Sequence, residues 1–123
     1  MPEHHGYRRP MPGPLDGIRI VDLSVALTGP LAAGMLVDQG ADCIKVEQAP
    51  TGDVIRWLGS TVSGISSMFQ VANRGKRSVV LDLTQADGMA ILRDLIVDAD
   101  VLVQNFRPGV AERLGVAYAD IRS

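Results

Sequence analysis

Four short runs of β-branched and apolar side chains constrain this sequence more than anything else in it: 17–23 (GIRIVDL), 43–47 (CIKVE), 78–83 (SVVLDL) and 100–106 (DVLVQNF). Each has the composition and the partial alternation of a strand. Between the first two, Gly29-Pro30 opens a stretch expected to be helical from Pro30 to about Gln39 and to stop at Gly40. Proline at a helix start gives up an amide that has no partner there, and glycine tolerates the left-handed cap. Between the third and fourth runs, Met89, Ile91, Leu92, Leu95 and Ile96 cluster at helical spacing, with Thr84 as the expected cap and an end near Ala99. The segment 49–53 (APTGD) is a loop, and Gly59, Gly64 and recurrent Ser and Thr break any face over 54–73, where the expectation is loop with a short helix around 66–72. Residues 108–115 read as a short helix closed by glycine, and 118–123 begin another. Strands alternating with helices at these distances predict right-handed βαβ units and an α/β fold with a parallel sheet. Ligands of such sheets collect beyond the carboxyl ends of the strands. Here those ends are 23–28, 47–53, 83–84 and 105–108.

Composition narrows the function classes. With 123 residues the chain holds one core at most. A hydrophobic content of 46% argues against disorder, and a net charge of −2 with five scattered aromatics argues against nucleic acid. The single Cys43 excludes an internal disulfide, and with only His4 and His5 beside it no zinc set of usual spacing can form, so no metal site is expected. Cys43 reads as a small buried hydrophobe and the two histidines as inert. The longest uncharged apolar run stops at Asp38, short of the ~20 residues that span a bilayer. No membrane association and a cytoplasmic location are the expectations. Residues 1–14, with four prolines, form an expected flexible leader before a domain at 15–123.

The phosphate fingerprints are mostly absent. Residues 29–34 (GPLAAG) have the glycine spacing of a P-loop but continue Met35-Leu36 where Lys and Ser or Thr are required, and no G-x-G-x-x-G follows a strand. The helix start at Gly29-Pro30 offers free amides to an anion, as any helix start does. Residues 73–77 (NRGKR) are either a solvated turn or a phosphate contact, and the same two readings apply to Arg107 and Arg113. Phe106, beside Asn105, reads equally as a ligand platform or as core. Glu47 and Asp53 flank a loop without forming an evident acid and base pair.

Taken together, 14–24 (PLDGIRIVDLS), the GP-led helix, 40–47 (GADCIKVE), GD at 52–53, 73–83 (NRGKRSVVLDL) and 99–116 (ADVLVQNFRPGVAERLGV) closely resemble the amino-terminal part of the family III coenzyme A transferases. The group includes formyl-CoA and carnitine CoA-transferases and, in a related branch, α-methylacyl-CoA racemase. The resemblance implies a Rossmann-like parallel sheet with helices on both faces and an interlocked homodimer. It implies coenzyme A as substrate, with no covalently bound cofactor, and acyl-CoA and a small carboxylic acid as partners. The implied reaction passes through an aspartyl intermediate. No Asp of this sequence matches the family nucleophile, so no catalytic residue is assigned, and the chain is expected to be an amino-terminal piece, inactive alone. The implied CoA contacts fall on Ala26, Leu27 and Thr28, on Leu81 and Thr84, on Asn105 and Phe106, and on Arg113. Gln48 stands where Arg is frequent and Thr84 where some members carry Lys. The turn at 73–78 and Asn105-Phe106 before Arg107-Pro108-Gly109 favour the transferase branch over a racemase; a non-catalytic CoA-binding or association module is the other alternative.

Overall fold

The computed structural model describes residues 12–122, so the leader expected at 1–14 lies outside the described residues except for its last three, as does Ser123. Strand β1 (Arg19–Asp22) leads into α1 (Thr28–Val37), and β2 (Asp42–Gln48) is followed by a 3₁₀ turn at Val54–Trp57. Next come β3 (Thr61–Val62), β4 (Ile65–Ser66) and α2 (Ser67–Asn73). Then follow β5 (Arg77–Leu81), α3 (Ala86–Val97), β6 (Val101–Val103), α4 (Val110–Leu114) and α5 (Tyr118–Ile121).

The strands β5-β2-β1-β6, in that order, form one parallel sheet, with Ile20 paired to Cys43 on one side and to Val101 on the other. Because successive side chains of a strand point to opposite faces, the sheet has two differently made sides. Val21, Leu23, Val46 and Leu81 pack with Leu92 of α3 and with Ala111 and Val116 at α4. On the other side Ile20 and Cys43 pack with Ala33, Leu36 and Val37 of α1. Helices therefore cover both faces, in the Rossmann-like arrangement expected.

Several boundaries differ from the sequence expectation for identifiable reasons. The fourth strand ends at Val103 rather than at Phe106, because the partner of Val25 is the side chain of Asn105 and not its backbone. Helix α1 begins at Thr28, which leaves Pro30 in the first turn where no bond is lost. Thr84 does not cap α3; Gln85 holds the cap position, and the Thr84 amide and hydroxyl both donate to Asp82 Oδ1 (2.9 and 2.6 Å). The expected loop over 54–66 contains the antiparallel pair β3-β4, joined by Ser63 and Gly64 at φ 52° and 78°. Two successive positive φ values are what a tight two-residue hairpin turn demands.

Candidate functional site

The α1 side of the sheet turns from apolar to charged toward the carboxyl ends of its strands. Ile20 and Cys43 give way along β1 and β2 to Asp22, Lys45 and Glu47, all buried. Burying such groups is tolerated only where each is paired and hydrogen-bonded. Lys76 Nζ lies 2.8 Å from Asp22 Oδ2 and also donates to the Pro30 carbonyl (2.6 Å) and to Asn73 Oδ1 (3.0 Å). The other Asp22 oxygen accepts from the amide and hydroxyl of Ser24. Lys45 Nζ donates to the Ser24 carbonyl (2.8 Å) and forms an ion pair with Asp53 Oδ2 at 2.9 Å, an oxygen with no directed hydrogen bond of its own. Glu47 receives Arg56 Nε (2.6 Å) and Nη2 (2.7 Å), the Ser78 hydroxyl (2.5 Å) and the Asp53 amide (2.9 Å). Burial pushes the Glu47 carboxyl up, but the hydrogen bonds from Arg56, Ser78 and the Asp53 amide outweigh it and hold its pKa at about 2.

This buried framework reaches the loop after β1. Asp53 Oδ1 accepts the amides of Ala26 (3.0 Å) and Ile55 (3.1 Å). From the segment after β6, Asn105 Oδ1 accepts the Val25 amide (2.8 Å) while its Nδ2 donates to the Val25 carbonyl (2.9 Å). Between these anchors Ala26 sits at φ 63°, a left-handed conformation uncommon for a residue with a Cβ. The chain then enters α1 with no side-chain cap, so the first amides of the helix face the carboxyl edge of the sheet.

Most of the sequence-derived positions lie along that edge, with Arg113 apart on α4. Ala26, Leu27 and Thr28 form the exit of β1 and the start of α1, with Leu27 and Thr28 exposed. Leu81 ends β5 with its side chain in the core and its carbonyl bonded to the Ala49 amide (3.1 Å), and Thr84 follows in the open. Asn105 spends its amide group on Val25, and the ring of Phe106 is half-buried against the α3 and α4 core. Arg113 is exposed on α4, without an ion pair among the described residues. Gln48 is exposed and its amide bonds to the Ala49 carbonyl (3.3 Å).

The cluster at 73–77 takes neither role weighed for it in full. Arg74 pairs with Asp38, Arg77 with Asp42 (2.6 Å), and Lys76 is buried on Asp22, so all three cations are engaged within the fold. The glycines of 29–34 are packing positions: a Cβ on Gly29 would lie 2.3 Å from the Ser24 Cβ, and one on Gly34 3.0 Å from the Ala72 carbonyl oxygen. Sequence reasoning missed Lys45 and Asp53 as parts of the site's support. The available signal was the placement of Asp22, Lys45 and Glu47 within strands otherwise fit for a core. Among the described residues no group of acids, histidines and cysteine is disposed to hold a metal ion, and no helix is long and apolar enough to cross a membrane.

The model of CoA-transferase family III matches residues 15–123. The acetyl-CoA:oxalate CoA-transferase of Acetobacter aceti is 43% identical over 109 residues, covering 89% of this chain and 28% of that protein. The succinate–glutarate CoA-transferase of Agrobacterium fabrum is 40% identical over 116 residues, covering 89% and 29% respectively. Among solved structures, Rv3272 from Mycobacterium tuberculosis superposes with a TM-score of 0.82 at 41% identity, over 90% of this chain and 31% of that one. A CAIB/BAIF family protein from Brucella suis gives 0.83 at 38% identity, over 90% and 30%. The chain thus spans less than a third of the length of the curated relatives it matches. By the match over 15–123, and by the superposition on solved structures at 38–41% identity, the chain belongs to CoA-transferase family III.

Proposed function

We propose that residues 15–123 are the CoA-binding, amino-terminal part of an acyl-CoA:carboxylate CoA-transferase, which moves CoA from an acyl-CoA donor to a free carboxylic acid. The observation that carries this reading is the carboxyl edge of the sheet, where adjacent strands β1 and β6 are pinned together and the uncapped start of α1 is left open. Free amides at a helix start, with the positive end of its dipole, suit the phosphates of CoA. Ala26, Leu27 and Thr28 supply that wall, Thr84 and the main chain at Leu81 a second, and Phe106 the floor between β1 and α4, with Asn105 beneath the loop. Arg113 supplies the cation, a role open to it because it forms no ion pair among the described residues. The names of the relatives, which join a CoA thioester to a carboxylate, favour a transferase over a racemase.

In this reading a carboxylate attacks the thioester carbonyl of the donor and CoA thiolate leaves, giving a mixed anhydride. The thiolate then attacks the aspartyl carbonyl of the anhydride, releasing the first acid and leaving an aspartyl-CoA thioester, from which CoA passes to the acceptor by the reverse steps. The nucleophilic Asp has no counterpart in these 123 residues, whose part is to hold CoA so that the thioester is presented to it. An interlocked homodimer and a cytoplasmic location complete the proposal.

Titration calorimetry of CoA into the complete gene product tests it. Arg113→Ala is expected to weaken affinity about ten-fold to a hundred-fold, as loss of a charge-assisted hydrogen bond does, with Arg113→Lys recovering part of it. Equal affinities in two folded proteins would remove Arg113 from the site, and no CoA binding by the wild type would remove the reading.

A further inference from the structure

We propose that Asp53 and Asn105 are positioning residues, which clamp the main chain of Val25-Ala26 from two sides and so hold the CoA-facing loop in a strained, ready-made form. The inference rests on the reading of this edge as a CoA site and assigns Asn105 a role on the loop beneath the ligand.

Both ends of the Asn105 amide are directed at one residue, its oxygen to the Val25 amide (2.8 Å) and its nitrogen to the Val25 carbonyl (2.9 Å). Asp53 holds the next amide, that of Ala26 (3.0 Å). Asp53 is itself fixed at three points: Oδ2 by Lys45 (2.9 Å), Oδ1 by the Ile55 amide (3.1 Å) and its own amide by Glu47 (2.9 Å). A rigid chain of buried groups therefore runs from the centre of β2 to a single backbone amide in the loop. What it holds there is Ala26 at φ 63°. A residue with a Cβ keeps such a conformation only where its surroundings over-determine it, and such outliers gather at ligand-binding sites. A loop fixed before binding loses less freedom when the ligand arrives, so the clamp acts on affinity.

The test combines steady-state kinetics of the complete gene product with amide hydrogen exchange of the ligand-free protein. Asn105 is exposed, so Asn105→Ala should fold with its melting temperature little changed. The expected result is a KM for acyl-CoA raised about ten-fold with kcat within about three-fold, and exchange of the Val25 amide at least ten-fold faster without ligand. Asp53→Ala should do the same to the Ala26 amide. The double variant should be scarcely worse than the poorer single one, because a loop already released has nothing more to lose. Should Asp53→Ala fail to fold, Asn105→Ala decides alone. Unchanged exchange at Val25 with a raised KM would make Asn105 a direct contact and overturn the clamp, as would two losses that multiply in the double variant. A fall in melting temperature and kcat at constant KM would reduce the pair to structural support. A wild type that neither binds nor turns over CoA would remove the site reading itself, whereas unaltered KM in Asn105→Ala beside an active wild type removes the clamp only.

Discussion

Glu47 is the residue on which the charged half of the sheet turns. Its carboxyl has an ordinary pKa of 4.5 and is held at about 2. A lowered folded-state value means that the stabilisation is fully present above the unfolded pKa and is lost as pH falls through the folded one. Glu47 should therefore cost the protein stability progressively between about pH 4.5 and pH 2, to a total on the order of 3 kcal/mol. Urea unfolding across that range checks this: Glu47→Gln should be less stable than the wild type at pH 7 and should show a flatter acid limb, and parallel curves would refute the assignment. Cys43, four residues earlier on the same strand, shows the opposite balance. Burial first, then the charge of Asp22, pushes its thiol up to about 11, so it stays protonated and inert at neutral pH, as its packing role requires. The roles of individual residues were only partly legible in the sequence. Cys43 read correctly as buried because its type and strand context agree. Lys45 and Asp53 did not, because an ion pair across eight positions depends on where the loop after β2 turns back, which no local period records.

At the scale of elements, helix α1 is fitted by subtraction. Its inner face is Pro30, Ala33 and Gly34, with Gly29 at its mouth, and this small-residue face lets the helix come down onto Ser24 and Ala72. Gly29→Ala would place a Cβ 2.3 Å from the Ser24 Cβ and 3.2 Å from the Asn105 side-chain carbon. Such overpacking costs about 1–3 kcal/mol, and since it pushes on the clamp as well as on the helix, thermal melting should fall while the exposed control Ala32→Ser stays within about 0.5 kcal/mol. A Gly29→Ala protein with unchanged melting would show that the helix is free to shift. The four sheet strands were readable because their signal is local, carried by β-branched runs of adequate length. The hairpin β3-β4 was not, having two residues to a strand, although Ser63-Gly64 is a turn pair of the kind that closes such hairpins.

For the whole molecule, the apolar face and the charged face divide the work: one supplies cohesion and the other holds the edge in shape. Leu92, fully buried among Val21, Val46, Leu81 and Val116, joins α3 to three strands and to the segment after α4. Leu92→Ala should cost about 2–5 kcal/mol by chemical unfolding, a large share of the stability of a domain this size, and a loss under 1 kcal/mol would mean that this face collapses around the gap. The strand order has a consequence for how the protein is made. Because β1 lies inside the sheet with β6 as its outer neighbour, the Arg19 amide meets the Asp100 carboxylate 81 positions further along the chain. On a ribosome adding about 5–20 residues per second, the first strand emerges with one flank bare and waits roughly 4 to 16 s for its neighbour to be synthesised. Over that interval the Val25 main chain has no Asn105 to hold it, so the nascent polypeptide can close the β5-β2-β1 portion about 1 to 5 s before Asn105 is made, and the loop after β1 is the last part of this edge to be set.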